Sequence, residues 1–199
     1  MIKAFIVVNN HGMRSNPRVV AISFALAPAL VRPSLVHSLN RSLPPFFLRL
    51  AAMVRLCRFY EQLGVDKQAD LCQTVYKMVT GRPDHLCSFV DDEKTFGPDT
   101  KLVYRHFATL YFCILSDRSE SELAMLDLIQ VYVETLDKVF ENVCELDLIF
   151  NSPKAYTVLD ETIVGGLVLE INSQKVIGVY EELMKLEKAQ ASMLERVTG

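Results

Sequence analysis

The sequence predicts an α+β domain built on an antiparallel sheet, and three observations carry that expectation. Short apolar runs bounded by turn residues recur near the start and in the middle of the chain. One long segment after Ser119 places its apolar residues at helical steps. The order reads strand, strand, helix, three strands, then helices. At 199 residues the chain has room for one ordinary domain with a substantial core.

Each element has its own signal. Ile2 to Val8 is an apolar, β-branched run stopped by Asn9-Asn10-His11-Gly12, as expected of a buried strand. Arg55 to Leu63, with Leu56, Cys57, Phe59 and Tyr60, reads as its partner. Asp66 to Thr80 reads as a helix, with Leu71, Val75 and Met78 at helical spacing and Gly81 as a stop. His85 to Val90, Lys101 to Ala108 and Thr109 to Ser116 read as three strands. The first two are separated by the acidic turn Asp91-Asp92-Glu93 and by Gly97-Pro98-Asp99. The main helix is expected to start at Ser119, in a capping box with Glu122. Leu126, Ile129, Val133, Leu136, Phe140 and Val143 form one apolar stripe, and Leu128, Tyr132, Thr135 and Val139 a neighbouring one. So wide an arc predicts burial against the sheet and against something further. A last amphipathic helix is expected from Ser173 to about Gln190.

Charge separates one segment from the rest. Met13 to Ala52 contains no Asp or Glu, five arginines and five of the eight prolines. Prolines at that density oppose a long helix or a central strand. The segment therefore reads as an irregular, basic, disordered insertion between residues 1–12 and 53–199. Without it the chain would run Asn10-His11-Gly12-Met53-Val54-Arg55, a short hairpin between the first two strands. Read-through sequence, an alternative isoform segment, and a loop touching a membrane or partner are all compatible with it.

Composition excludes several classes. Half the residues are hydrophobic and mean hydropathy is +0.20, yet the longest apolar candidate, Val19 to Val31, is too short to span a bilayer and contains Pro28. A chain of this composition is expected to bury surface against partners. The net charge of −3 and the lack of a basic stripe with interleaved aromatics give no support for nucleic-acid binding. Five widely spaced cysteines without a C-x-x-C pair argue against a disulfide framework or structural zinc. Met1 to Val8 lacks the pattern of a secretory signal, so a reducing cytosol is the expected compartment.

No enzyme is expected, and no cofactor. The sequence has no phosphate loop, no G-x-G-x-x-G and no G-x-S-x-G elbow. His85 and Cys87 would share a strand face, which a thiolate and its base require, but two neighbours on one sheet face is the simpler reading. Asp91, Asp92 and Glu93 have the chemistry for a hard cation, but a solvated turn explains them. Glu145 and Asp147 read as polar positions between buried Leu146 and Leu148 rather than an acid/base pair.

Arg105-His-Phe-Ala-Thr-Leu-Tyr-Phe-Cys113, Ser119 to Leu128, and Phe140-Glu-Asn-Val-Cys-Glu-Leu-Asp-Leu-Ile-Phe150 together resemble the sigma small subunits of clathrin-type adaptor protein complexes. Met1 to Gly12, Arg55 to Tyr60 and Gly165-Gly-Leu-Val-Leu-Glu170 match the same family. The wording Ser-Glu-Ser-Glu-Leu from Ser119, and the helix that follows it, are most similar to the complex 3 type. The resemblance implies a longin-like fold, with a five-stranded antiparallel sheet flanked by helices and the insertion in its first hairpin. It also implies direct pairing with a large, delta-type subunit inside a heterotetramer with beta and mu chains. Such a complex is peripheral on Golgi, endosomal and coated-vesicle membranes.

The same resemblance implies a site for acidic dileucine sorting signals, [DE]-x-x-x-L-[LI], on membrane cargo. Arg55 falls where the family places a basic residue near the acidic end. Ala108, Leu110, Val133, Val143, Leu146 and Leu148 fall on the walls of the leucine pocket, with Asn142 a polar neighbour. Two leucines want a preformed apolar slot, and a guanidinium suits a carboxylate. Taken singly, Val133 and Leu110 read as core and Arg55 as a solvated strand residue. The alternative function is a free-standing longin-type module regulating a trafficking GTPase or SNARE.

Overall fold

The computed structural model describes residues 1–10, 53–83 and 86–198. Residues Met13 to Ala52, read above as an insertion, and His85 lie outside the described residues. Among those described, the chain runs β1 (Ile2–Asn9), β2 (Val54–Phe59), α1 (Val65–Thr80), β3 (Phe89–Val90), α2 (Glu93–Phe96), β4 (Lys101–Phe107) and β5 (Leu110–Ser116). It continues with α3 (Glu122–Phe140), α4 (Glu145–Phe150), α5 (Ser152–Thr162), β6 (Ile163–Val164), β7 (Leu167–Val168) and α6 (Ser173–Thr198). The first five strands form one antiparallel sheet in the order β2-β1-β5-β4-β3. This is the α+β, longin-like architecture expected from the sequence.

The apolar runs of β1 and β5 follow from their place at the centre of the sheet, with helices on both faces. Phe5, Val7, Phe112 and Ile114 belong to the core beneath α3, α5 and α6. Ala4, Ile6, Val8, Cys113 and Leu115 belong to the core beneath α1. A strand covered on both sides needs no polar alternation, and all seven residues of β5 are buried. In α1 the buried face is Ala69, Cys72, Val75 and Val79, while Leu71 and Met78 are only partly covered.

The start of α3 differs from expectation. The helix begins at Glu122 with Ser121 before it, and Ser119 instead donates through both its backbone N–H and its hydroxyl to Asp117 Oδ1. The Asp117 carboxylate sits nearer, so it captures the serine as a turn and the capping box does not form. The buried face of α3 straddles the two predicted stripes, taking Ile129 and Leu136 from the first and Leu128, Tyr132 and Thr135 from the second. Met125, Leu128, Ile129, Tyr132, Thr135 and Leu136 are buried, and Tyr132 is fully enclosed, edge-on to Phe5 at 5.0 Å and donating to Ala155 O at 3.0 Å. Much of the wide arc is covered from within the chain, because α5 and α6 pack on α3.

Other boundaries moved as well. The strand expected over His85 to Val90 is confined to Phe89–Val90. The acidic turn after it is largely exposed, as expected, and also ion-paired: Arg118 bridges Asp91 and Glu93, and Asp92 accepts from Lys94 N at the head of α2. Helix α6 reaches Thr198, beyond the expected Gln190.

One side chain occupies the outer edge of β2 at its middle. Tyr156 of α5 donates its hydroxyl to Cys57 O at 3.0 Å and accepts from Cys57 N at 3.1 Å, with Arg58 stacked 5.2 Å over its ring.

The cysteines divide by depth. Cys57, Cys72 and Cys113 are buried in the core under α1, whereas Cys87 and Cys144 are exposed. A hydrogen bond to Cys57, together with burial, pushes the Cys72 thiol well up, and burial alone does so for Cys113. Only the thiolate reacts readily. Two of the five thiols are therefore expected to label quickly with an aromatic disulfide reagent. The other three should wait for unfolding, which mass mapping of the labelled peptides will check.

Candidate functional site

A groove of about 690 Å³ opens between the β4–β5 hairpin, the C-terminal half of α3 and the segment entering α4. The hairpin contributes Phe107, Ala108, Thr109, Leu110 and Phe112. Helix α3 contributes Val133 on the wall and Glu134, Asp137 and Lys138 at the rim. The far wall is Val143 to Leu146, with Leu148 at the base. The volume lies within the usual range of small-ligand pockets.

Local backbone explains the shape. Among the described residues, three other than glycine have positive φ: Ala108 (51°), Glu141 (53°) and Asn142 (81°). Ala108 turns β4 into β5 at the groove wall, and Glu141–Asn142 reverse the chain after α3. Left-handed backbone at an alanine or glutamate is disfavoured and persists only where the surroundings hold it. Here Asp137 is the anchor. Its backbone carbonyl accepts from Asn142 N and its carboxylate from Val143 N, each at 3.1 Å. Asp147 then accepts from Cys144 N at 2.9 Å, fixing the first turn of α4.

The resemblance-derived residues are brought together, with two differences. Ala108, Leu110, Val133, Val143, Leu146 and Leu148 all line this groove. Val133 is half-buried, so it is a wall residue rather than part of the central core. Leu146 is 59% exposed, against the expectation that both leucines flanking Asp147 are buried; only Leu148, at 1%, is. A six-residue helix lying on a surface can bury one side, and Leu148 takes it. Asn142 is exposed and lies beside the lining rather than in it.

Arg55 is not a solvated strand residue. Its side chain is fully buried, and Nε and Nη2 both reach Glu145 Oε1 at 2.7 Å. Asn9 Nδ2 also donates to that oxygen at 3.2 Å, and Thr109 Oγ1 donates to Glu145 Oε2 at 3.2 Å. Four donors from β1, β2 and the β4–β5 turn thus converge on one carboxylate in the first turn of α4. Sequence reasoning assigned Glu145 no such part. The pairing spans 90 residues, and no local spacing announces it.

Comparison with known proteins agrees with this architecture. The family model described as "Clathrin adaptor complex small chain" matches residues 46–188. The AP-3 complex subunit sigma of Arabidopsis thaliana is 53% identical over 139 residues, covering 70% of this chain and 84% of that protein. The AP-3 complex subunit sigma-2 of Homo sapiens is 46% identical over 140 residues, covering 70% and 72% respectively. Among structures, a chain of "Homology model of the full-length AP-3 complex in a stretched open conformation" aligns with TM-score 0.59 and 30% identity. That alignment covers 97% of this chain and 99% of the other. A family match over most of its length, with relatives at 46–53% identity, makes this chain a member of the clathrin adaptor complex small chain family.

Proposed function

We propose that the groove receives the leucine pair of acidic dileucine signals on membrane cargo, with the chain paired to the large, delta-type subunit of a complex 3 type adaptor. Membership of the family makes the chain a small subunit of a vesicle-trafficking adaptor rather than an enzyme. One observation carries the finer reading. Six residues that the resemblance placed in the leucine pocket, scattered over 41 positions of sequence, line a single apolar groove. Burying a leucine side chain there is worth about 2 kcal/mol, and two leucines suffice for the modest affinity that a sorting signal needs. Held left-handed backbone on both sides of the groove is further support, because such strain concentrates at binding sites.

Pairing with the large subunit has its own support. Val164, Leu167, Val168, Leu169 and Ile171 are each 42–64% exposed along the β6–β7 ribbon and the stretch after it. Exposed apolar residues in such number suit a permanent partner. With beta and mu chains completing the heterotetramer, the complex would sit peripherally on Golgi and endosomal membranes; no helix among the described residues is long and apolar enough to cross one.

The test is direct. A fluorescent peptide Glu-Ala-Ala-Ala-Leu-Leu is titrated against the assembled complex, beside the same peptide with Ser-Ser in place of Leu-Leu. Saturable binding of the first and at least about tenfold weaker binding of the second is expected. Equal binding of both removes the groove from cargo recognition.

Residues 13–52 are a separate matter. Asn9 N donates to Met53 O at 3.0 Å, so the chain ends bordering that interval already meet across β1 and β2. Loop closure costs only about 0.6 kcal/mol per doubling of length, so a shorter connection can close the same hairpin. A form lacking 13–52 is expected to pair with the large subunit at least as well as the full chain in parallel pull-downs. Loss of pairing on deletion would make the segment a working part of the protein.

A further inference from the structure

Four donors surround the Glu145 carboxylate, and that arrangement is an anion site already filled. Arg55 is fully buried and contributes two N–H groups, Asn9 is 2% exposed and contributes its amide, and Thr109 contributes its hydroxyl. The Oδ1 of Asn9 has no hydrogen-bond partner among the described residues, so the cluster retains an acceptor ready for a further N–H. The Glu145 side chain is 24% exposed, unlike the arginine it binds, and Glu145 itself lines the groove between Cys144 and Leu146.

We infer that Glu145 is an internal stand-in for the ligand's acidic residue, a latch that an incoming carboxylate must displace from Arg55. This rests on the groove being a site for acidic dileucine peptides. The exchange swaps one carboxylate for another, so no buried charge is left unpaired at its end. Arg55 is too deep to attract a ligand through solvent while Glu145 covers it. The latch therefore sets selectivity: a peptide without an acidic residue leaves Glu145 in place and gains only the leucine contacts. A peptide with one gains the guanidinium as well, less the donors that Glu145 gives up.

The test uses the assembled complex and two peptides, Glu-Ala-Ala-Ala-Leu-Leu and its Gln counterpart. In Glu145→Gln the amide holds Arg55 less tightly, and the acidic peptide is expected to bind about fivefold to tenfold more tightly than to the unaltered complex. Affinity for the Gln peptide should change far less, so the ratio of the two affinities is the quantity that reads the latch. The acidic peptide should also restore the melting temperature that the substitution lowers, and the Gln peptide should not. Thr109→Ala removes one holder of Glu145 while leaving Arg55 intact, and is expected to move the acidic peptide in the same direction by about twofold. If Glu145 is only a structural clamp, both variants lose stability and the ratio of the two affinities stays fixed, which overturns the latch while the groove stands. If neither peptide binds any form, the groove reading fails and the latch falls with it.

Discussion

Val133→Asp in the assembled complex is expected to weaken binding of a Leu-Leu peptide by at least about a hundredfold. Val133 stands half-buried on the groove wall, facing the hairpin residues across an apolar lining. A carboxylate there loses its hydration against an apolar wall when the leucines arrive, a cost of about 3 kcal/mol. The neighbouring carboxylates of Glu134 and Asp137 at the rim add repulsion. Because the side chain points into a groove and not into the central core, the fold should survive. A preserved melting temperature and intact pairing with the large subunit are the controls. Unchanged peptide affinity in that intact complex would remove Val133 from the site.

The second large effect is on stability. Glu145→Ala leaves the guanidinium of Arg55 buried without its carboxylate, and breaking a buried pair in this way costs about 3 kcal/mol. For a chain of this size that corresponds to a fall of roughly 6–12 °C in melting temperature. The loss belongs to a buried guanidinium deprived of its counter-charge more than to the absence of attraction. The double change Arg55→Met with Glu145→Ala is therefore expected to recover part of it, and the two substitutions will not add. Calorimetry on the three variants measures this; a double variant as unstable as the sum of the singles would contradict it.

The sequence disclosed the architecture better than it disclosed the site's chemistry, for a physical reason. Strands β1 and β5 announce themselves because burial on two faces demands uninterrupted apolar residues, and α3 does so because its length repeats one period several times. Short elements lack that redundancy. Helices α4 and α5 and the β6–β7 ribbon have too few turns or residues for a periodic signal to emerge, and β3 is only two residues long. The stripes on α3 were found but the buried face straddles them, because Val133 lies at the margin between core and groove. The leucine-pocket residues came through resemblance rather than spacing. Their separate positions in the β4–β5 hairpin, α3, the link after it and α4 say nothing of proximity until the chain is folded. Glu145 is the sharpest case. A glutamate between a cysteine and a leucine on a short helix is locally unremarked, and its meaning lies wholly in Arg55, Asn9 and Thr109, which three other parts of the chain deliver.

Tyr156 has a bearing on how the protein behaves in a crowded solution. β2 ends the sheet, and a sheet end invites a second copy to add its own strand and begin a stack. The phenol occupies both open groups of Cys57, in the middle of that strand, so an approaching chain meets a plugged register instead of a free ladder. Removing the hydroxyl in Tyr156→Phe should leave the monomer's shape nearly intact yet open it to self-templating. Shelf life and turbidity on storage, more than unfolding curves, are where that single oxygen would be missed.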